Sequence, residues 1–183
     1  MRKEKNKKIL INGLLCFTII IYICVLLNVI IFKSLASPMD LFTGNHPIMR
    51  SINVFVFKGI WDIKAYAGTN RTNILGNIIL FVPLGIFLGT FLNHKRKYIL
   101  KSLMVIIFIS FLFELIQFVF AIGASDINDL ILNTSGGMIG IFIYQGMIAV
   151  FKKEKVRNFI AIAGTVVGVM MIIMTVFLTI ANR

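Results

Sequence analysis

Glu114 and Gln117 stand inside SFLFELIQFVF, a run from Ser110 to Phe120 that is otherwise nearly free of polar groups. Ser110, Glu114 and Gln117 are spaced by four and three, so they share one helical face. A carboxylate at such a place has three uses: a general acid or base, a hydrogen-bonding group for a ligand, or a protonated acid packed against a neighbouring helix. Downstream, SDINDLILNTSGGMIG sets Asp126, Asp129, Asn133, Gly136 or Gly137, Gly140 and Tyr144 at steps of three and four. That is one stripe, polar at its start and lined with glycine further along. Helix capping and the helix dipole account for an aspartate at such an N-terminus, but they do not ask for Asn133 a turn deeper. Upstream, Asn73 and Asn77 share a face at the start of NILGNIILFVPLGIFLG.

The elements that must hold these residues follow from composition. Hydrophobic residues make up 58% of the 183 residues and charged residues 14%, and mean hydropathy is +0.94. A water-soluble domain of this length has too little interior for that much apolar surface, so lipid is part of the solvent. Five runs, residues 9–32, 73–92, 99–122, 130–151 and 158–181, reach the ~20 residues a helix needs to cross ~30 Å of hydrocarbon. The sequence therefore predicts an all-α, polytopic integral membrane helix bundle with five transmembrane helices. Its divisions are a basic N-terminus (1–8), the first span (9–32), an external aromatic and basic segment (33–72), a core of three spans (73–151), and a basic loop with the fifth span (152–183). The first run is far longer than the ~7–15 residues of a signal-peptide core, and Lys33 separates it from the small residues of SLASP, so it reads as an uncleaved anchor. Pro83 removes a backbone donor within the second span and predicts a kink.

The formal charge of +12 excludes less than its distribution does. Arg2, Lys3, Lys5, Lys7 and Lys8 precede the first run, Lys95, Arg96 and Lys97 follow the second, and Lys152, Lys153, Lys155 and Arg157 separate the fourth and fifth. With the N-terminus inside, alternation places every one of these clusters inside and the acidic GASDIND outside, along with the C-terminus. That is the positive-inside pattern of a cell-membrane protein, not a basic face for nucleic acid. The long external segment carries Phe55, Phe57, Trp61 and Tyr66 among Arg50, Lys58 and Lys64. It is too charged to span and reads either as an aromatic-anchored connector or as a lid lying in the headgroup layer. Cys16 and Cys24, eight residues apart in the first span, are too distant on a helix to bridge each other.

On this topology Glu114 lies nine residues before Gly123, ~13 Å from the outer end at 1.5 Å per residue. A charged group at a span's centre costs ~2.5–3.5 kcal/mol on insertion scales, so it faces the bundle interior. Asn73, Asn77, Glu114, Gln117, Asp126, Asp129 and Asn133 then share one depth, which predicts a common outward-facing polar pocket with Arg50 and Arg71 as basic counterparts. Glu114, Asp126 and Asp129 are the candidate acid–base groups, and the amides and arginines are the candidate ligand-binding groups. No Ser-His-Asp set, P-loop or HExxH motif is present, and the topology puts His46 and His94 on opposite sides of the membrane. No metal or cofactor is expected.

RTNILGNIILFVPLGIFLG, FELIQ and DINDLILNTSGGMIG together resemble the VanZ-like family of small membrane proteins, over about half the chain from Arg50 to Tyr144. The resemblance adds Asn53 to the candidate binding residues, since NVFVF keeps the asparagine and phenylalanine of a motif the family often has, with Val56 where proline is expected. It also marks a departure: Gly123, Ala124 and Ser125 stand where the family often has an arginine, leaving Arg50 and Arg71 as its candidate replacements. What the resemblance implies is an envelope protein that lowers susceptibility to the glycopeptide teicoplanin. Its partners would be membrane lipids, a lipid-linked cell-wall precursor or the acylated drug itself. An intramembrane enzyme acting on a lipid-linked substrate is the alternative, and a small transporter a weaker one, since no inverted repeat is visible.

Overall fold

The computed structural model describes residues 2–31, 49–53, 67–93 and 97–181. In chain order they form α1 (Arg2–Ile31), β1 (Met49–Asn53), α2 (Ala67–Leu92), α3 (Tyr98–Val119), β2 (Ile122–Asp126), α4 (Ile127–Val150) and α5 (Lys153–Ala181). Each helix covers most or all of one of the apolar runs, and its ends move for local reasons. α1 begins in the basic tail, because lysine is a good helix former and Glu4 sits in the first turn. α2 begins six residues before Asn73 and runs unbroken past Pro83. α3 stops at Val119, short of the expected limit, where the backbone turns: Phe120 N–H donates to Ile116 O at 3.0 Å and Ala121 N–H to Phe118 O at 3.2 Å. Ala121 takes a left-handed φ of 55°.

That turn leads into an element the apolar pattern did not announce. β2 pairs in parallel with β1, in the register Arg50 with Gly123, Ser51 with Ala124, Ile52 with Ser125 and Asn53 with Asp126. Parallel strands need a long crossover between them, and here it includes α2 and α3. The described residues are thus helical with one short two-stranded ribbon, and α3 packs against both strands.

Among the described residues, four helices are long and apolar enough to cross a membrane: α1, α2, α3 and α5. Their side chains are sorted as lipid requires. On α3 the buried face is Ser102, Ile106, Ser110, Phe113, Glu114 and Gln117, while Met104, Ile107, Phe108, Phe111, Leu115 and Val119 are exposed. Polar groups inside and large apolar groups outside is the reverse of a helix in water. α4, with 24 residues, is long enough but less apolar, because asparagine, threonine, serine and glycine fill its first half. Its outward residues further along, Met138, Ile139, Phe142 and Ile143, are apolar.

The chain divides into two compact units, residues 1–25 with 147–183 and residues 26–146. In the first, α1 and α5 run side by side in the same direction: Arg157 donates to Asn12 Oδ1, the Thr18 and Thr165 hydroxyls hydrogen-bond at 3.0 Å, and Gly168 lies against Ile21. In the second, α2 and α4 touch backbone to backbone. A methyl group on Gly136 would meet the Ile78 carbonyl, one on Gly140 the Val82 carbonyl, and one on Gly85 the Gly137 carbonyl. Glycine permits that approach, as the small-xxx-small spacing of both helices predicts. The α2–α3 contact is closed by Phe81 and Phe113, edge to face at 6.2 Å between centroids.

Candidate functional site

Asp126, the last residue of β2, is the hub of a polar cluster at the junction of α3, β1, β2 and α4. Its backbone N–H donates to Glu114 Oε2 at 2.8 Å. Its Oδ1 accepts from the backbone N–H of Asn128 at 2.8 Å and from Asn128 Nδ2 at 2.9 Å. Its Oδ2 accepts from Asn53 Nδ2 at 3.1 Å. The local sequence explains the first pair: an aspartate just before a helix offers its side-chain oxygen to an N-terminal backbone N–H that has no partner within the helix. Parallel register explains the second, since Asn53 and Asp126 are opposite each other in the ladder. Glu114 reaches the cluster from α3 and is only 6% exposed.

One helical turn further into α3, Ser110 Oγ accepts from Asn133 Nδ2 at 3.0 Å, joining α3 to α4. Asn133 Oδ1 and Asn77 Nδ2 are buried without a hydrogen-bond partner among the described residues, as is Ser102 Oγ. Asn77 and Asn133 come from helices that touch at Ile78 and Gly136, so the two amides lie at nearly the same height. Gln117 faces elsewhere: its Nε2 donates to Ile30 O at 2.8 Å, filling a carbonyl in the last turn of α1 that has no partner within the helix.

Asp129 is half-buried in the first turn of α4. Asn73 is exposed, unlike Asn77 one turn on. Arg50 is placed by register across from Gly123 and Arg71 lies near the start of α2, but their side chains lie outside the described residues. So do Phe55, Phe57, Trp61, Tyr66, His46 and His94. Among the described residues no three His, Cys, Asp or Glu side chains gather as a metal would need. At the far end of α4, Tyr144 is buried under Gly89 and accepts a hydrogen bond from Asn93, well away from Asp126.

Two polar residues escape a reading by motif. Asn128 is one, although an asparagine two residues after a capping aspartate is a recognisable signal of a shared turn. Ser102 is the other, and it continues the Ser110–Glu114 face by two further turns.

A family model for VanZ/LLP1 matches residues 19–152, a span that holds β1, β2 and every member of the Asp126 cluster. Over 166 residues the chain is 31% identical to Protein VanZ of Enterococcus faecium, covering 91% of this chain and 92% of that protein. No solved structure matches it. The chain belongs to the VanZ-like family.

Proposed function

We propose that this protein works in the cell envelope and lowers susceptibility to teicoplanin-type lipoglycopeptides. A polar site at outer-leaflet depth, with Glu114 as its floor, binds or alters a lipid or a lipid-linked cell-wall component. The observation that carries this reading is the buried carboxylate of Glu114 tied to Asp126 N–H, in a chain of a family associated with teicoplanin resistance. A charge-bearing group within a span is retained against a cost of ~2.5–3.5 kcal/mol, which favours a use for it. Asp126 keeps the site's shape, because both its carboxylate oxygens accept hydrogen bonds from Asn53 and Asn128. That arrangement supports binding more than turnover. The topology in this reading has five spans: α4, at ~36 Å by its 24 residues, crosses with its polar start outward, the N-terminus is inside and the C-terminus outside.

Teicoplanin carries an acyl chain that can sit in the outer leaflet, and vancomycin lacks one. A site at that depth acts on what is anchored there. Expression should therefore raise tolerance to an acylated glycopeptide and leave its deacylated form nearly unchanged. Glu114→Leu should abolish the protection at normal membrane abundance. Equal protection against both drug forms overturns the outer-leaflet reading and points to an altered peptide target. Turnover of a lipid-linked precursor that is lost in Glu114→Gln would instead make the protein an enzyme.

A further inference from the structure

The basic end of the unit formed by α1 and α5 is not absorbed by the site above. α1 is helical from Arg2, so Arg2, Lys3, Lys5, Lys7 and Lys8 stand on nearly two helical turns, all exposed. The apolar, lipid-facing surface begins at once with Ile9 and Leu10, both more than 60% exposed. Those cations therefore sit where the hydrocarbon ends. Six residues of rise, about 9 Å, is close to the depth of one headgroup layer.

α5 brings a second set to the same level. Because α1 and α5 run in parallel with Asn12 beside Arg157, Lys153 lies four residues before its reference point as Lys8 does before its own. Lys152, Lys153 and Lys155 are exposed, and they follow the exposed apolar pair Val150 and Phe151. With Arg157 the two segments carry nine cations against the two acids Glu4 and Glu154, a net +7 of the chain's formal +12. A topology signal needs a few positive charges near a span. It does not need two helices to present so many in one band.

We propose that this end is a binding surface for anionic phospholipid headgroups of the surrounding bilayer, of the phosphatidylglycerol kind. Charge complementarity and position select that occupant. The band adjoins lipid-facing apolar side chains on both helices, so the first groups it meets are headgroups, and an anionic one neutralises it.

The test is equilibrium binding of fluorescent phosphatidylglycerol and phosphatidylcholine by the full-length protein in detergent. We expect at least about a tenfold preference for the anionic lipid at 0.1 M salt, falling toward unity at 1 M salt, where the screening length drops from ~10 to ~3 Å. Neutralising Lys3, Lys5, Lys7 and Lys8 to Gln together with Lys152, Lys153 and Lys155 to Gln should remove the preference, and the same seven changed to Arg should keep it. Neutralisation alone could reverse insertion, so the salt series on the unchanged protein stands as the independent arm. Equal binding of the two lipids by the unchanged protein, or a preference indifferent to salt, overturns the inference.

Discussion

Gly140→Ala and Gly146→Ala add the same methyl group to the same helix and should move stability in opposite directions. At Gly140 the methyl meets the Val82 carbonyl and stands 3.0 Å from Gly85 Cα. The tighter overlap is with the Val82 carbonyl oxygen, 2.0 Å from the added carbon where about 3.3 Å is an ordinary C···O contact, so α2 and α4 must separate by more than about 1 Å. Backbone lies on both sides, and no rotamer change relieves the overlap. Overpacking of this kind costs about 1–3 kcal/mol, and the upper end applies where only whole helices can move. The alanine returns about 1 kcal/mol of helix propensity, leaving a net loss of about 2 kcal/mol. At Gly146 nothing lies within 4 Å, so the propensity term acts alone and the variant gains up to about 1 kcal/mol. Gly76→Ala, equally open, is a second control on α2. Far-UV circular dichroism during titration from mild detergent into dodecyl sulfate measures all three. Asn77 and Asn133 are carried by the two helices that this contact holds together, so Gly140→Ala should also lower drug tolerance while Gly146→Ala does not. If Gly140→Ala proves as stable as Gly146→Ala, the backbone-to-backbone contact of α2 and α4 is wrong.

Asp126→Ala should cost about 0.5–2 kcal/mol through loss of the cap on α4, while Asp126→Asn keeps an acceptor oxygen and most of that stability. Equal losses in the same unfolding titration would mean that charge, not capping, matters there. Ser110→Ala should strand the Asn133 amide in a buried place at a cost of about 1–3 kcal/mol, and Asn133→Leu on that background should add little. Full additivity in the double-mutant cycle would deny the Ser110–Asn133 bond. For topology, in a version without Cys16 and Cys24, Ser125→Cys should label from outside and Lys153→Cys only after permeabilisation; external labelling at position 153 would sink the five-span arrangement.

Read along the chain, much of this protein is local information. An apolar run of twenty or more residues has one solution in lipid, because every backbone N–H and C=O must be paired within the segment. The helices therefore follow from Ile9, Ile99 or Asn158 onward without reference to anything distant. The inward turning of Ser110 and Glu114, and the close approach at Gly136 and Gly140, are likewise written in three- and four-residue spacing. What spacing cannot carry is which distant segment supplies the partner. Asn73 and Asn77 share a helical face in the sequence, yet one is exposed and the other buried, the buried one next to Ile78, where α4 meets α2. Gln117 shares the face of Glu114 but fills a carbonyl of α1, a residue 87 positions away. The parallel pairing that sets Asn53 on Asp126 joins two short segments with no strong alternation of their own, and only the packing of α3 against both strands brings them into register. The candidate site is therefore half local and half not: Glu114 sits where helix periodicity puts it, whereas Asp126 ends a strand and takes Asn53 as a partner across 73 residues, a choice that no local preference encodes.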